Sequence, residues 1–284
     1  MTAPLPRVTI SEHPLPHADD TLHLTVLSDL HIDSPLCDYD GLKKMLKARS
    51  RLQNHVVCGI GDMADLVMPT DMKRFRPSVQ KPHIATRDDW FAAALEEVGG
   101  LLEELKVVWL FIGRGNHEDE AMKRHGWDST SVLAARLGCK PAGYSGVHDL
   151  RLKRGSAQTT FRLAWHHGAW GGAYAKGYNS ALGYFSTIDS WHCAVWGHNH
   201  ASRVDPEVRL SPDPAAGLLR ERRVYLMACG SWVHQQSADG RITHYTERHG
   251  YKPQPRQSPL IKIRLRRQKV GGVERNEPEY TVEV

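Results

Sequence analysis

Nine residues share one placement in the chain. Asp29, His31, Asp62, Asn116, His117, His166, His167, His198 and His200 each stand at or just past the end of a short apolar run. The runs are HLTVL, HVVCGI, VVWLFI, FRLAW and CAVW. The set offers carboxylate, amide oxygen and imidazole but no thiolate, which suits borderline divalent ions: Mn first, then Fe, Zn, Co or Ni. Two ions need about eight to ten coordination positions, so seven protein ligands with one shared carboxylate would leave places for water and substrate. One Asp at a strand end is usually a turn former, and one His a satisfied polar group. Five such clusters after five runs point to a joint purpose.

The runs are short and rich in β-branched and aromatic residues, so they predict strands. A sixth run, VYLMACGSW, ends at Gly230 and Ser231. Helical spacing appears in YDGLKKMLKARS, in DDWFAAALEEVGGLLEELK despite Gly99 and Gly100, and in DSTSVLAARLGCK, which ends near Gly138. Strands alternating with helices give an α/β domain. Ligands of such sheets bind beyond the carboxyl ends of the strands, which predicts that the polar clusters meet on one edge of one sheet. The clusters run from Asp29 to His200, so they predict a single domain over 1–284. Residues 68–87, 205–223 and 234–259 read as insertions: the first a basic, Pro-rich stretch, the second a Pro-interrupted hairpin or loop, the third a long polar excursion. LIKIRLRRQ alternates as a half-buried strand, with Lys262, Arg264 and Arg266 on its solvent face.

The chain has 284 residues, 40% hydrophobic and 24% charged, enough for a large core without staples. No run is long enough for a membrane span, and the first twenty residues lack a secretory apolar segment. Five cysteines without a CxxC pair predict a reducing, cytoplasmic setting. The net charge of +5 is uneven. Residues 241–269 hold nine Lys/Arg and one acid, Glu247; the remainder has 28 basic and 31 acidic residues. That stretch reads as a solvated strand face or as an anion-binding surface for nucleic acid.

DLH, GDMAD, GNHE, HHG and GHNH, in this order over about residues 22–235, resemble the motif set of the calcineurin-like metallophosphoesterase superfamily. The arrangement after HHG is similar to that of bacterial and phage-type members. The resemblance implies a four-layer α/β/β/α sandwich with two central mixed β-sheets, followed by a basic extension at about 236–284. It implies that Asp29, His31 and His200 hold one metal and Asn116, His167 and His198 a second, with Asp62 bridging. His167 is chosen over His166 because glycine follows it. His117 resembles the histidine that faces the scissile phosphate as general acid, Asp65 the acid that orients it, and Glu118 a support for its loop. The function implied is a dinuclear metal-dependent phosphoesterase. It would act on phosphodiesters or small phosphate esters through attack by a metal-bridging hydroxide. The alternatives are a nuclease of the Mre11-like branch and, since every site position is filled, less readily a non-catalytic metal-bound scaffold.

One position departs from the protein phosphatases of the superfamily. Their phosphate-clamping arginine follows the bridging aspartate, where this chain has Leu66, which argues against a phosphoprotein substrate. Lys73, Arg74, Arg76 and Lys81 in the 68–87 insertion, and His166, are candidate substrate contacts. The Gly- and aromatic-rich stretch after His167 reads as a mobile rim or as a loop entering a helix at Asn179.

Overall fold

The run LHLTVL is apolar on both faces, as a central strand covered from two sides must be. In the computed structural model it forms β2 (Leu22–Leu27), and all six of its residues are buried. The structure describes residues 5–67, 75, 80–170, 174–214, 217–236, 247, 252–270 and 273–284. The other strands are β1 (Val8–Pro14), β3 (His55–Gly59), β4 (Val108–Gly113), β5 (Lys140–Ala142), β6 (Ser145–Arg154), β7 (Ala157–His166), β8 (Cys193–Trp196), β9 (Ser202–Asp213), β10 (Leu218–Cys229), β11 (Leu260–Val270) and β12 (Val273–Glu283). The helices are α1 (Tyr39–Arg49), α2 (Pro82–Ala85), α3 (Trp90–Glu104), α4 (Asn116–His125), α5 (Ser129–Arg136) and α6 (Tyr174–Phe185).

Two six-stranded mixed sheets result, ordered β1-β6-β7-β8-β10-β9 and β12-β11-β2-β3-β4-β5. Between them lies one apolar layer that includes Val26, Phe111, Phe161, Trp165, Val195, Met227 and Ile261. A second layer packs Leu42 and Leu46 of α1, Val98 and Leu102 of α3 and Leu133 of α5 against Leu27, Val57 and Ile112. A third packs Phe185 of α6 against Trp191, Trp196 and Leu226. The architecture is therefore a four-layer α/β/β/α sandwich.

Two expectations change, and one open reading is decided. The polar clusters do not share one sheet: Asp29, Asp62 and Asn116 follow β2, β3 and β4 of the second sheet, while His167 and His198 follow β7 and β8 of the first. They meet because both sets of strands end at the same pole of the sandwich. Of the two readings of residues 205–223, the hairpin is the one formed: they are most of β9–β10, in continuous antiparallel register from Ser202↔Cys229 to Asp213↔Leu218. α6 begins at Tyr174, before the expected entry at Asn179.

The basic stretch also reads differently once β12 is in place. β11 alternates as expected, with Ile261, Ile263 and Leu265 buried. β12 lies antiparallel beside it and brings acids into register. Lys262 pairs with Glu283 (2.5 Å), Arg266 with Glu279 (2.6 Å) and Arg267 with Glu274 (3.2 Å). Arg264 donates to Thr21 (2.7 Å). Three cations of β11 are thus paired with acids of the next strand, while Arg241 and Arg248 of the same basic stretch lie outside the described residues. Lys81 is likewise engaged, with Glu97 of α3 at 2.5 Å. No helix among the described residues is long and apolar enough to cross a membrane.

The inter-sheet layer should dominate stability. Phe111 is fully buried, and its ring lies 5.3 Å from that of Trp165 across the sandwich. Phe111→Ala should cost about 3–5 kcal/mol by urea denaturation, whereas Val108→Ala, 61% exposed on the same strand, should stay within about 0.5 kcal/mol.

Candidate metal centre

The loops after β2 and β3 continue the strands' pairing past their ends. Asp29 N donates to Gly61 O (3.1 Å), Leu30 N and His31 N to Asp62 O (2.8 and 3.1 Å), and Ile32 N to Met63 O (3.1 Å). Asp29, His31, Asp62, Leu66, His198 and His200 all have positive φ, between 46° and 70°. A left-handed residue with a Cβ is costly, on the order of 1 kcal/mol or more, and persists only where surroundings impose it. At the five Asp and His positions the backbone turns sharply and aims the side chains at one cluster, whereas Leu66 enters the helix-side core.

Asp62 is at the centre. Its Oδ1 accepts from His117 N (3.0 Å). Its Oδ2 faces three imidazole Nε2 atoms: His167 at 3.1 Å, His31 at 3.9 Å and His117 at 4.0 Å. Asp29, after β2 of the same sheet, faces the loop that follows β8 of the other. Both its carboxylate oxygens accept from His198 N (3.1 and 2.9 Å), and His200 Nε2 stands 3.4 Å from Oδ1. Asn116 Oδ1 accepts from His167 Nε2 (3.0 Å) and His198 Nδ1 (2.7 Å). Ligand atoms converge in three groups, Asp29–His31–His200, His31–Asp62–His117 and Asp62–His167–His198, each within 4.8 Å.

The donor chemistry fits cations. His31 Nδ1 donates to Asp65 Oδ1 (3.0 Å), leaving the buried Nε2 without a hydrogen-bond partner. His167 Nδ1 donates to Ile60 O (3.2 Å), so its coordinating nitrogen is the Nε2 beside Asp62. Fixing one ring nitrogen by a hydrogen bond so that the other faces the ion is how proteins orient ligating histidines. Two glycines clear the cradle: a Cβ on Gly115 would stand 2.1 Å from Asp62 Oδ1, and one on Gly197 2.0 Å from Ser28 Oγ and 2.6 Å from Asp29 Oδ2.

Without cations, imidazolium takes their electrostatic place. Burial opposes charge on His31, but its hydrogen bond to Asp65 and the charges of Asp65, Asp62 and Asp29 outweigh it and raise its pKa to about 10. Burial also opposes charge on His167, and Asp62 and Asp29 raise its pKa to about 9. Burial pushes Asp29 upward, but the hydrogen bond and charge of His200, with His167, hold it at about 2. The same contest at Asp62, against His167, His117 and His31, leaves it well below the carboxylate range.

Two buttressing carboxylates hold these loops. Glu118 accepts from Asp62 N (3.0 Å), Met63 N (2.9 Å), Ala64 N (3.3 Å) and Gly115 N (2.9 Å). It stands in the first turn of α4, because GNHE opens a helix rather than lying within a loop. Burial and the charge of Asp62 raise its pKa to about 7. Asp33, which sequence reasoning missed, accepts from Asp65 N (2.5 Å) and Leu66 N (2.9 Å). Its only sequence signal is the alternation Asp29-x-His31-x-Asp33.

The remaining candidates divide. His117 Nδ1 bonds the main-chain carbonyl of Asp65, and the Asp65 carboxylate, 3.3 Å away, is shared with His31. Asp65 thus orients His117 chiefly through its backbone. His166 is turned from the carboxylates: it accepts from Gly168 N (2.7 Å), stacks on Trp170 at 4.8 Å and meets Tyr144 and Tyr184 edge-on. Burial lowers its pKa to about 4. Leu66 is buried in the helix-side core, and Arg114 is paired with Asp128 (3.0 Å), the N-cap of α5, so neither position offers a phosphate clamp. Lys73, Arg74 and Arg76 lie outside the described residues.

No protein-family model matches the chain, and no curated protein matches it in sequence. In tertiary structure it is similar to the calcineurin-like phosphoesterase YfkN from Bacillus subtilis, with 12% identity, 93% of this chain and 90% of that one covered, and a TM-score of 0.42. It is similar to a metallophosphoesterase from Sphaerobacter thermophilus, with 14% identity, coverage of 92% and 90%, and a TM-score of 0.37. It is also similar to the nuclease MPE from Pseudomonas putida, with 16% identity, coverage of 90% and 87%, and a TM-score of 0.31. The first two carry the name of the superfamily whose motif set the sequence resembles; likeness at this level assigns neither an activity nor a residue role to this chain.

Proposed function

We propose that the chain is a dinuclear metal-dependent phosphoesterase of the calcineurin-like kind, acting on phosphodiesters or small phosphate esters. One observation carries the reading: Asp62 Oδ2 is shared between ligand groups on either side of it. Asp29, His31 and His200 would hold one cation with Asp62, and Asn116, His167 and His198 a second. Two such cations would supply Lewis acidity toward the phosphate and an activated water.

The chain's own residues supply the rest. Asn116, His117 and His198 are half-buried and form the solvent-facing side of the cluster, while Asp29, Asp62, His167 and His200 lie beneath. A carbonyl can only accept, so the Asp65 carbonyl keeps a hydrogen on His117 Nδ1. The transferable proton is then the one on Nε2, which faces the centre. Asp62 and Asp65 near the ring favour its cationic, acid form. His117 would give that proton to the departing alkoxide. Neither Leu66 nor Arg114 supplies the guanidinium fork that clamps a phosphomonoester, which supports diesters or small esters over phosphoproteins.

The decisive assay is metal content followed by hydrolysis of bis-p-nitrophenyl phosphate against p-nitrophenyl phosphate with Mn²⁺. About two ions per chain and faster diester cleavage are expected; a chain that takes up no divalent ion sinks the reading. Asp62→Asn should lose both metal and turnover. His117→Ala should keep the metals and lose about 10²–10⁴-fold on esters with alkoxide leaving groups, but far less on nitrophenyl esters. Loss of a metal in that variant would instead make His117 a ligand.

Proton release gives an independent check. In the metal-free protein His31 (about 10) and His167 (about 9) are protonated at neutral pH. Cations must displace those protons, so affinity should weaken as pH falls, and about two protons per chain should be released on uptake at neutral pH. Calorimetry in buffers of different ionisation enthalpy measures this directly, and uptake without proton release counts against the ligand assignment.

A further inference from the structure

The β9–β10 hairpin carries an apolar face that nothing among the described residues covers. Val208, Leu210 and Leu219 are 62%, 64% and 63% exposed. Strand alternation puts Val208, Leu210 and Pro212 on one side of β9, and the register sets them opposite Arg223, Glu221 and Leu219 of β10. All six are exposed. The opposite face is engaged: Arg209 lies over Trp191 at 4.1 Å, Arg220 pairs with Glu277 (2.6 Å) and Arg275 with Asp213 (2.5 Å). Among the described residues, Glu221 and Arg223 have no ion-pair partner. The exposed face is thus a row of aliphatic side chains on β9 beside one acid and one base, about 7 Å apart along β10.

We propose that this face is the interface of an isologous two-fold dimer of the chain. The arrangement is complementary to itself. A two-fold axis lying in the face, across the strands and midway between the Leu210–Glu221 and Val208–Arg223 pairs, would lay β9 on β9 and β10 on β10. It sets Glu221 against the partner's Arg223, Arg223 against the partner's Glu221, and Leu210 against the partner's Val208. Aliphatic meets aliphatic and acid meets base on both sides of the axis, as an isologous contact requires. The face is used rather than the strand edge, because Pro206 and Pro212 interrupt the free edge of β9 and cannot donate to a ladder. Six residues a side are fewer than the roughly 20–30 of a standard interface, so the association is a concentration-dependent one.

Sedimentation velocity of the full chain over a concentration series tests this. The wild type should show a reversible monomer–dimer equilibrium. Leu210→Glu should be monomeric with an unchanged thermal midpoint. Glu221→Arg and Arg223→Glu should each weaken the dimer about tenfold or more through like-charge contact. The double variant E221R/R223E, which restores acid against base, should return close to wild type. A chain that stays monomeric at every concentration overturns the proposal, as does a dimer indifferent to Leu210→Glu. Weakening by both single reversals without recovery in the double variant overturns the two-fold register.

Discussion

Two carboxylates, Asp29 and Asp62, are buried in one cavity with almost no access to water. An isolated carboxylate in such a place would neutralise or be expelled. Here neither happens, because imidazoles from both sheets surround the pair. His31 and His117 come from the second sheet, His167 and His200 from the first. The charge of the carboxylates in turn raises the pKa of His31 and His167, so anion and imidazolium hold each other in place. Much of the remaining local structure serves to keep those charges apart from solvent and close to one another.

The backbone bears part of the cost. Positive φ at Asp29, His31, Asp62, His198 and His200 is not a preference of those residues but is imposed by hydrogen bonds between loops. Glu118 collects four amides of two loops, and Asp33 two more. Asp29 locks the sheets together at the site, since its carboxylate accepts from His198 N and its carbonyl from Ser231 Oγ (2.9 Å). Binding geometry and the joining of the two sheets are thus the same set of contacts.

The opposite pole is organised by a different interaction. The β11–β12 and β9–β10 hairpins meet there through the pairs Arg220–Glu277 and Arg275–Asp213. Those pairs, with the β11–β12 cross-strand pairs, absorb charge that composition alone presents as a basic surface. They also fix which face of β9–β10 is engaged and which faces outward.

The sequence by itself determined the strand cores, three of the helices and the list of polar residues at the strand ends. Local apolar periodicity and the chemistry of Asp, Asn and His after short β-branched runs are sufficient for that. It did not determine that the clusters come from two sheets, since strand order depends on which apolar faces pack together. Nor did it separate His167 from His166 by residue type: one step along β7 reverses the side chain, sending one ring to Asp62 and the other to Trp170. Asp33 was hard to read as a support, and Glu118 was read only as a support of its own loop, because the amides of Asp62 to Leu66 that they hold lie far along the chain. The pairing of Lys262, Arg266 and Arg267 was likewise out of reach, as their acids lie on the next strand. What only the tertiary structure decided was pairing, because a residue's electrostatic role is set by the groups that folding brings against it.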